Sequence, residues 1–363
     1  MGLPLHSRLR QKIKNALNSV LTTLIPVHTT HEKIPVDEIH RILVIRVNYR
    51  IGNILFTTPL LRALEQRFPD AKMDILIGAA YPAPLLKGFS TVDNVFDFPR
   101  KLLKEPLSLL SYIRHLRSTR YDLVINLNIG SASDRGAAFL ARGTYKLGFD
   151  APGNWSPSTH TVTLPSGQIH EALKPLYLME AFGNRPDDYP QKMDIALSPF
   201  ERSEGLKELQ KRLADQGCLR KEGGKIIGMF RDARFEKKID NGWWSAWYAQ
   251  MRQLHPEALF IDILSPDVKE KLDASLCFIL ESNLRRLGAM LSQMDMFVCG
   301  DTGPMHLASA SMVPTVALFK ASTPTLYGTL GEYDRSVTIA DHTPQEIASL
   351  VSEHLRSLPE KNR

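Results

Sequence analysis

The stretch from residue 296 to residue 319 constrains the fold more than any other part of the sequence. It begins and ends as a buried apolar strand, and small residues between the strands predict a short helix packed closely on a sheet. Asp301 or Thr302 provides an N-cap oxygen for this helix, and Pro304 stands at its first position. The pattern is a compact βαβ unit, whose helix N-terminus at the carboxyl end of a strand suits a phosphorylated ligand.

Polar residues crowd into this turn, and the residues alone leave two interpretations open. Asp301 can cap the helix and His306 can pack inside it, or both can serve a ligand. The block D-T-G-P-M-H-L-A-S-A, followed by V-P-T-V-A-L-F and then S-T-P and Y-G, resembles the donor-binding segment of family 9 glycosyltransferases. These are the bacterial ADP-heptose:lipopolysaccharide heptosyltransferases. The resemblance implies that Asp301 acts in catalysis by gripping hydroxyls of the donor sugar, while His306 orients the loop. The other donor contacts that it implies are Thr302, Gly303 and Pro304.

A second match lies near the start of the chain, where a predicted strand runs into a turn and a helix. The family pattern here contains an arginine, two aspartates, a glycine and a proline. The corresponding residues of this chain are Arg46, Asn48, Gly52, Asn53 and Pro59. The resemblance implies that Asn48, Gly52 and Asn53 line the acceptor side, and that Asn53 replaces the aspartate that is the general base. An amide takes no proton at neutral pH, but it can orient an acceptor hydroxyl.

A strongly basic turn follows the strand predicted at residues 226–230. Arg231, Lys237 and Lys238 are our candidates for neutralising a diphosphate leaving group, whose charge a glycosyl transfer without a metal must stabilise. A solvated loop is the alternative. The resemblance favours the binding role, because the family has a lysine soon after this strand and before a tryptophan. Whether Lys237 or Lys238 corresponds to it stays open.

Apolar strands alternate with helical segments along the chain, which predicts parallel, doubly wound sheets. The predicted strands are residues 42–47, 72–77, 92–98, 123–127, 145–149, 226–230, 259–264, 276–280, 296–299, 315–319 and 337–340. The predicted helices are residues 54–68, 102–118, 131–141, 170–182, 203–214, 243–254, 266–273, 283–294 and 343–358. The resemblance implies an α/β fold of GT-B type, with two Rossmann-like domains facing a cleft.

Three regions follow from this pattern. Residues 1–40 are a basic amphipathic segment and linker, residues 41–190 an acceptor-side domain, and residues 191–363 a nucleotide-sugar-binding domain. The proline-rich residues 186–199 are the predicted crossing between the domains.

Two local features need a structure to interpret them. Pro59 lies inside the helix predicted at residues 54–68, so we expect a kink or a late start. Asp134 and Arg135 follow the fourth strand and can touch the acceptor, although a solvated helix start is the favoured explanation.

Composition agrees with a two-domain enzyme, since 363 residues are enough for two separate cores. No apolar run reaches the length of a membrane span. The three cysteines, Cys218, Cys277 and Cys299, are scattered without a C-x-x-C. They predict neither a disulfide framework nor a zinc site, and they favour a reducing, cytoplasmic compartment. The net charge of +6 suits an anionic substrate or membrane surface.

The first 31 residues contain no acidic side chain, and their apolar residues recur at helical spacing. Such a basic amphipathic helix can lie at the cytoplasmic face of an anionic inner membrane, or it can pack on the domain surface. A signal peptide is less favoured, because polar residues interrupt the apolar part and no small-residue cleavage site follows it.

The function predicted from these features is inverting, metal-independent transfer of a heptose or related sugar from a nucleotide-diphosphate donor to a lipopolysaccharide core or similar glycan. ADP-heptose is the favoured donor and a lipid-linked oligosaccharide the acceptor; we expect no cofactor, no metal and no nucleic acid. A catalytically impaired sugar-nucleotide-binding or partner protein is the alternative, because of Asn53. An epimerase or reductase of Rossmann type is disfavoured, because no G-x-G-x-x-G follows either leading strand.

Overall fold

The computed structural model describes residues 22–23, 25–98, 105–128, 130–268 and 270–361. Within these ranges the chain forms two six-stranded sheets, in which all neighbouring strands are parallel. The two doubly wound sheets confirm the predicted α/β class. The amphipathic helix predicted at the N-terminus lies almost wholly outside the described residues.

The first sheet has the strand order β3-β2-β1-β4-β5-β6. Its strands are β1 (Arg41–Arg46), β2 (Lys72–Ile77), β3 (Val92–Asp97), β4 (Arg120–Asn126), β5 (Arg142–Phe149) and β6 (His160–Val162). Its α-helices are α1 (Ile51–Leu55), α2 (Thr58–Arg67), α3 (Pro106–Ser118) and α4 (Ala132–Leu140), with 3-10 turns at Ala83–Leu86, Lys174–Phe182 and Pro186–Asp188. In β1 the four residues between the terminal arginines are all apolar and buried, because helices cover both faces of the sheet.

The second sheet repeats this plan with the order β12-β11-β10-β7-β8-β9. Its strands are β7 (Ile226–Phe230), β8 (Leu259–Leu264), β9 (Cys277–Leu280), β10 (Met296–Gly300), β11 (Thr315–Phe319) and β12 (Arg335–Thr338). Its helices are α5 (Pro199–Ala214), α6 (Asn241–Leu254), α7 (Leu284–Leu291), α8 (Gly303–Ala310), α9 (Pro324–Tyr327) and α10 (Pro344–Ser357), with a 3-10 turn at Phe235–Lys237.

Each sheet has one place where the strand order reverses around two neighbouring strands. In the first sheet this is the pair β1 and β4, and in the second it is β7 and β10. At such a switch point the following helices leave to opposite faces, which opens a crevice at the carboxyl ends of the strands. The fold therefore offers one ligand crevice in each sheet.

The two halves share an apolar seam. Leu55, Phe56 and Leu85 from the first half belong to the same buried cluster as Met305 and Leu307 of α8. The predicted crossing at residues 186–199 lies between the last strand of the first sheet and the first strand of the second. The domain boundaries themselves stay predictions.

Proline and capping residues place several helix ends. Pro59 divides the segment predicted as one helix, because it stands at the second position of α2 after the short α1 has ended. At α10, Thr343 accepts a hydrogen bond from the Glu346 amide, and the Glu346 carboxylate accepts one from the Thr343 amide. This reciprocal pair is a capping box, and its Thr-x-x-Glu spacing can be read in the sequence.

Three segments differ from the prediction. Residues 266–273 form no helix in their described part, and residues 174–182 are 3-10 rather than α-helical. The short strand β6 lies inside a Pro- and Ser-rich stretch in which no strand was predicted. It forms because β5 offers a free edge for pairing, which no local pattern reveals.

The prediction that the cysteines form no disulfide was wrong. Cys218, just after α5, and Cys277, at the start of β9, form a disulfide with their Cα atoms 6.3 Å apart. The chain positions of the two residues are 59 apart, and only packing of α5 beside the edge strand brings them together. The inference of a reducing compartment from scattered cysteines therefore loses its basis. Cys299 is free and buried.

Candidate functional site

The βαβ unit predicted at residues 296–319 exists as β10, α8 and β11. Its turn lies at the switch point of the second sheet, beside the end of β7. Thr302, Gly303 and Pro304 are partly exposed, whereas the rest of α8 is buried. The beginning of α8 is thus the accessible part of the helix.

Asp301 does not cap this helix. Thr302 is the N-cap residue, and it makes no capping hydrogen bond, because its hydroxyl donates to the Gly300 carbonyl at 3.4 Å. Pro304 stands at the second helical position rather than the predicted first. The backbone N–H groups of Gly303 and Met305 therefore face the turn without a side-chain cap, as an anion site requires.

The Asp301 carboxylate instead binds two groups from neighbouring loops. Lys237 Nζ lies 2.6 Å from Asp301 Oδ2, and the Ser322 hydroxyl donates to the same oxygen. The Asp301 side chain is only 6% exposed, while that of Lys237 is 40% exposed. Lys237 Nζ also lies 5.9 Å from the ring centroid of Tyr327. The lysine can therefore reach a ligand while its ammonium stays close to the carboxylate.

Of the three predicted cations, only Lys237 joins this cluster. Lys238, although adjacent in sequence, is exposed, and its carbonyl accepts from Lys320 Nζ at 3.1 Å. Arg231 is buried: its guanidinium donates to Asp262, to Asn241 Oδ1 and to the Glu270 carbonyl. This buried ion pair connects the end of β7 to the interior of β8, so the geometry gives no support to Arg231 as a phosphate ligand.

His306 lies at the seam between the halves. A Cβ on Gly52 would stand 2.7 Å from His306 Cδ2, and the ring of Phe56 packs edge-on at 4.7 Å between centroids. Burial lowers the pKa of His306 to about 3, which outweighs the opposing charge of Asp301. The imidazole is therefore neutral at physiological pH, and its Nδ1 is buried without a hydrogen-bond partner in the described residues.

A second histidine, which sequence reasoning missed, closes the same seam. His170 Nε2 lies 3.0 Å from the Gly328 carbonyl of the second half, and the Ala172 amide donates to His170 Nδ1. Both contacts fix the neutral tautomer that carries its proton on Nε2. Burial lowers the pKa of His170. No sequence signal marked this residue beyond its place at the start of the helix predicted at residues 170–182.

The predicted acceptor-side turn lies directly against α8. Asn48 Oδ1 accepts from the Arg50 amide at 2.8 Å, so this side chain shapes the turn. Asn53 is the third residue of α1 and is partly exposed, and its side-chain amide has no partner in the part of the chain that the structure describes. Ile51 and Gly52 pack on Gly303 and His306 of α8. The structure therefore brings the predicted acceptor and donor residues to one cleft.

Two kinds of feature are absent from the described residues. No three His, Cys, Asp or Glu side chains come together there as metal ligands, and none of the helices is both long and apolar enough to cross a bilayer.

Comparison with known proteins by sequence identifies the family of this chain, and comparison by structure identifies its fold. The family model of glycosyltransferase family 9 (heptosyltransferase) matches residues 109–353. Lipopolysaccharide heptosyltransferase 3 of Escherichia coli is 23% identical over 297 residues, which cover 75% of this chain and 81% of that protein.

Two solved structures have the same fold at low identity. A family 9 glycosyl transferase from Veillonella parvula has a TM-score of 0.74 at 16% identity, covering 91% of this chain and 100% of that one. The E. coli heptosyltransferase WaaC with ADP has a TM-score of 0.68 at 18% identity, covering 86% of this chain and 99% of that one. These likenesses confirm the predicted GT-B architecture.

Proposed function

Because the chain belongs to glycosyltransferase family 9, the heptosyltransferases, we propose that it transfers a heptose from ADP-heptose to the lipopolysaccharide core. The observation that carries this proposal is the cluster of Lys237, Asp301 and Ser322 beside the uncapped N-terminus of α8. An ammonium and free helix amides together suit a diphosphate. The relative from E. coli is a lipopolysaccharide heptosyltransferase, which supports the choice of acceptor.

The proposed step is a single displacement. The acceptor hydroxyl oxygen forms a bond to the anomeric carbon while the bond from that carbon to the diphosphate oxygen breaks. The bonding electron pair leaves with ADP, and Lys237 and the α8 amides stabilise the added charge. One displacement inverts the anomeric carbon. Since a lysine and a helix terminus supply the positive charge, the step needs no metal.

The proton of the acceptor hydroxyl has no carboxylate to take it at Asn53. We propose that Asn53 accepts a hydrogen bond from this hydroxyl and orients it. The proton then leaves late, to a departing diphosphate oxygen or to water. Loss of a positioned base slows such a reaction by roughly 10²- to 10⁴-fold without forbidding it.

A second candidate function follows from the asparagine at position 53. If the uncharged Asn53 leaves transfer too slow to matter, the chain binds ADP-heptose as a sensor or as a partner subunit. Both candidates use the same donor site, so donor binding alone does not separate them.

Turnover of an Asn53→Asp variant separates the two candidates. We expect the wild-type chain to transfer heptose slowly to deacylated core oligosaccharide in the presence of EDTA, and the aspartate variant to be about 10²-fold faster. Transfer by neither chain, with ADP-heptose still bound, would favour the sensor. Transfer without any gain in the variant would show that Asn53 lies away from the chemistry.

The donor is tested by thermal shift with ADP-, UDP- and GDP-sugars. A ligand at a hundredfold excess over its Kd stabilises the fold by about 2.7 kcal/mol. We expect the largest shift with ADP-heptose and its loss in Asp301→Ala. An unchanged shift in that variant would contradict the donor-site assignment.

Contact of the N-terminal segment with an anionic membrane, near a lipid-linked acceptor, stays a prediction.

A further inference from the structure

Two exposed tyrosines lie together at the carboxyl ends of β1 and β2. Tyr49, in the turn after β1, is 39% exposed, and Tyr81, in the turn after β2, is 50% exposed. The Tyr81 hydroxyl donates to the Tyr49 carbonyl. The two turns also touch through their backbones, since the Gly78 amide donates to the Asn48 carbonyl at 2.9 Å. Single exposed aromatic side chains are common, but two adjacent ones beside a cleft indicate a binding surface.

Two exposed arginines accompany these rings, one from each half of the molecule. Arg50 follows Tyr49 directly, and Arg234 belongs to the loop after β7. Burial raises the pKa of Tyr81, and the positive charge of Arg234 opposes this, so Arg234 lies close enough to act on the Tyr81 hydroxyl. Neither guanidinium lies within 4.0 Å of a carboxylate among the described residues. Both cations are therefore available to a ligand.

Backbone and side-chain contacts place all four residues at the cleft between α1 and α8. A Cβ on Gly303 would stand 3.2 Å from Cβ of Ile51, the first residue of α1. On the other side of this contact Lys237 Nζ lies 2.6 Å from Asp301, and the Lys237 amide donates to the Arg234 carbonyl at 3.3 Å. The loop that brings Lys237 to α8 thus also brings Arg234 towards the first half.

The chemistry of these side chains indicates the class of ligand. A tyrosine ring offers an apolar face to the C–H groups of a sugar and a hydroxyl to its polar edge. A guanidinium without a carboxylate partner suits a phosphate or a carboxylate, which it binds with two parallel hydrogen bonds. Of the acidic residues in the same loop, Asp232 accepts from the Ser265 hydroxyl at 2.7 Å, and Glu236 is exposed. A sugar that carries an anionic group therefore uses both the rings and the cations.

We propose that Tyr49, Arg50, Tyr81 and Arg234, the tyrosine–arginine surface, bind a sugar unit of the acceptor glycan that carries a phosphate or a carboxylate. This inference rests on the proposed glycosyl transfer and names the chemical class of its acceptor. The rings pack on the sugar, and the two arginines hold its anionic group from both halves. An acceptor held in this way has a fixed orientation, which partly offsets the missing base at Asn53 by placing the nucleophile well.

Transfer kinetics of single variants in the full chain test the surface. We expect Tyr49→Ala and Tyr81→Ala to raise the KM for deacylated core oligosaccharide by roughly 3- to 10-fold. Arg50→Gln and Arg234→Gln should each raise it by roughly tenfold, because a hydrogen bond to a charged group is lost. The KM for ADP-heptose should change by less than about twofold. A rise in the donor KM instead would show that the surface binds the donor, and it would overturn the proposal.

Tyr81→Phe separates stacking from a structural role of the tyrosine. This variant keeps the ring but loses the hydrogen bond to the Tyr49 carbonyl. We expect its KM for the oligosaccharide to stay within about threefold of wild type. A loss as large as that of Tyr81→Ala would show that Tyr81 only shapes the turn, and the stacking role would be wrong.

Two modified acceptors identify the anionic group. One is core oligosaccharide from which the phosphates have been removed, and the other is core oligosaccharide with its carboxylates reduced to alcohols. On the acceptor that lacks the recognised group, the Arg50→Gln and Arg234→Gln variants should match wild type, since both changes remove the same interaction. An undiminished difference from wild type on both modified acceptors would overturn the role of the arginines.

Tyr333→Ala and Arg356→Gln are the matched controls. Tyr333 is 41% exposed and precedes β12, so it lies at the amino end of the second sheet, away from the cleft. Arg356 is exposed in the last turn of α10, near Tyr333, whose carbonyl lies 2.8 Å from His354 Nε2. We expect both variants to keep wild-type KM values. If they raise the KM for the oligosaccharide as much as the surface variants do, the effect is not local and the proposal is overturned.

Calorimetric titration of the oligosaccharide with ADP present separates this inference from the proposed function. Tight binding by the wild-type chain and weak binding by the surface variants would support the tyrosine–arginine surface even if no transfer occurred. Equal binding by all of them would overturn the surface while leaving transfer intact. Failure of the wild-type chain to bind the oligosaccharide would overturn both.

Discussion

Lys237 and Lys238 show how different the surroundings of two adjacent side chains can be. Both follow the same strand and carry the same charge, and the sequence could not choose between them. In the structure the Lys237 ammonium meets Asp301, while Lys238 is exposed. The choice depends on the backbone direction at the end of the 3-10 turn Phe235–Lys237, which no spacing rule fixes.

Substitution of the two lysines tests this choice. We expect Lys237→Ala to lower kcat/KM with ADP-heptose by roughly 10²- to 10³-fold, because a preorganised positive charge on the leaving group is removed. Lys238→Ala is the matched control and should stay within about threefold of wild type. Transfer kinetics at fixed acceptor concentration measure both. Equal losses in the two variants would show that the loop acts only through its net charge.

Most of the predicted donor-side residues lie in a single βαβ stretch, which contains Asp301 to His306. Their individual roles were less predictable. Asp301 binds Lys237 instead of capping α8, and His306 packs against Gly52 as a neutral ring. Partners of this kind come from other strands and loops, so they appear only after folding.

At the level of elements, the contact between α1 and α8 defines the cleft. Gly52 is placed where any side chain would meet the His306 ring, and Gly303 packs against Ile51. Glycine is needed at position 52 for this close approach rather than for its backbone freedom, since its φ lies outside the left-handed region.

A Gly52→Ala variant should therefore disturb the cleft. Its Cβ would stand 2.7 Å from His306 Cδ2, so the ring or α1 must shift. We expect a loss of about 1–3 kcal/mol in the free energy of unfolding and a clear loss of transfer activity. Urea denaturation and the transfer assay measure the two effects.

Gly136→Ala provides the control for that variant. Gly136 lies in α4, and a Cβ added to it would meet nothing within 4 Å, so an alanine there should stabilise the helix by about 0.5–1 kcal/mol. If Gly52→Ala were equally stable and fully active, the close packing of α1 on α8 would be wrong.

At the scale of the molecule, Arg285 of α7 ties the halves together. Its guanidinium donates to the Ile195 and Ala196 carbonyls, lies 3.4 Å from the Pro84 carbonyl of the first half, and binds Glu201 of α5. Hydrogen bonding from Arg285 lowers the pKa of Glu201 to about 2, and the Ser198 amide adds to this effect.

This contact predicts a pH dependence of stability. Because the folded pKa of Glu201 lies below its ordinary value of 4.5, the stabilisation is complete above pH 4.5 and is lost as the pH falls towards 2. We expect Glu201→Gln to be less stable than wild type at pH 7, and the difference to shrink by about pH 3. Urea denaturation at both pH values measures it.

Glu204→Gln on the same helix is the control, since its pair with Lys207 is exposed and contributes little at either pH. A constant difference between Glu201→Gln and wild type at both pH values would contradict the proposed ionic origin. It would leave the hydrogen bond from the Ser198 amide to the Glu201 carboxylate, which closes the start of α5, as the whole effect.

The sequence by itself determined the alternation of strands and helices, the two doubly wound sheets, the family and the βαβ unit at residues 296–319. These depend on residues close together in the chain, whose periodicity and turn chemistry act locally. Pro59, Thr343 and Glu346 placed helix ends for the same reason.

Only the tertiary structure decided which distant groups meet. It paired Lys237 with Asp301, closed Cys218 onto Cys277, buried Arg231 and placed His170 against Gly328. It also buried Asp134 and Arg135, where the sequence favoured a solvated helix start. Such contacts depend on strand order and on the packing of one half against the other, and neither is encoded in the spacing of neighbouring residues.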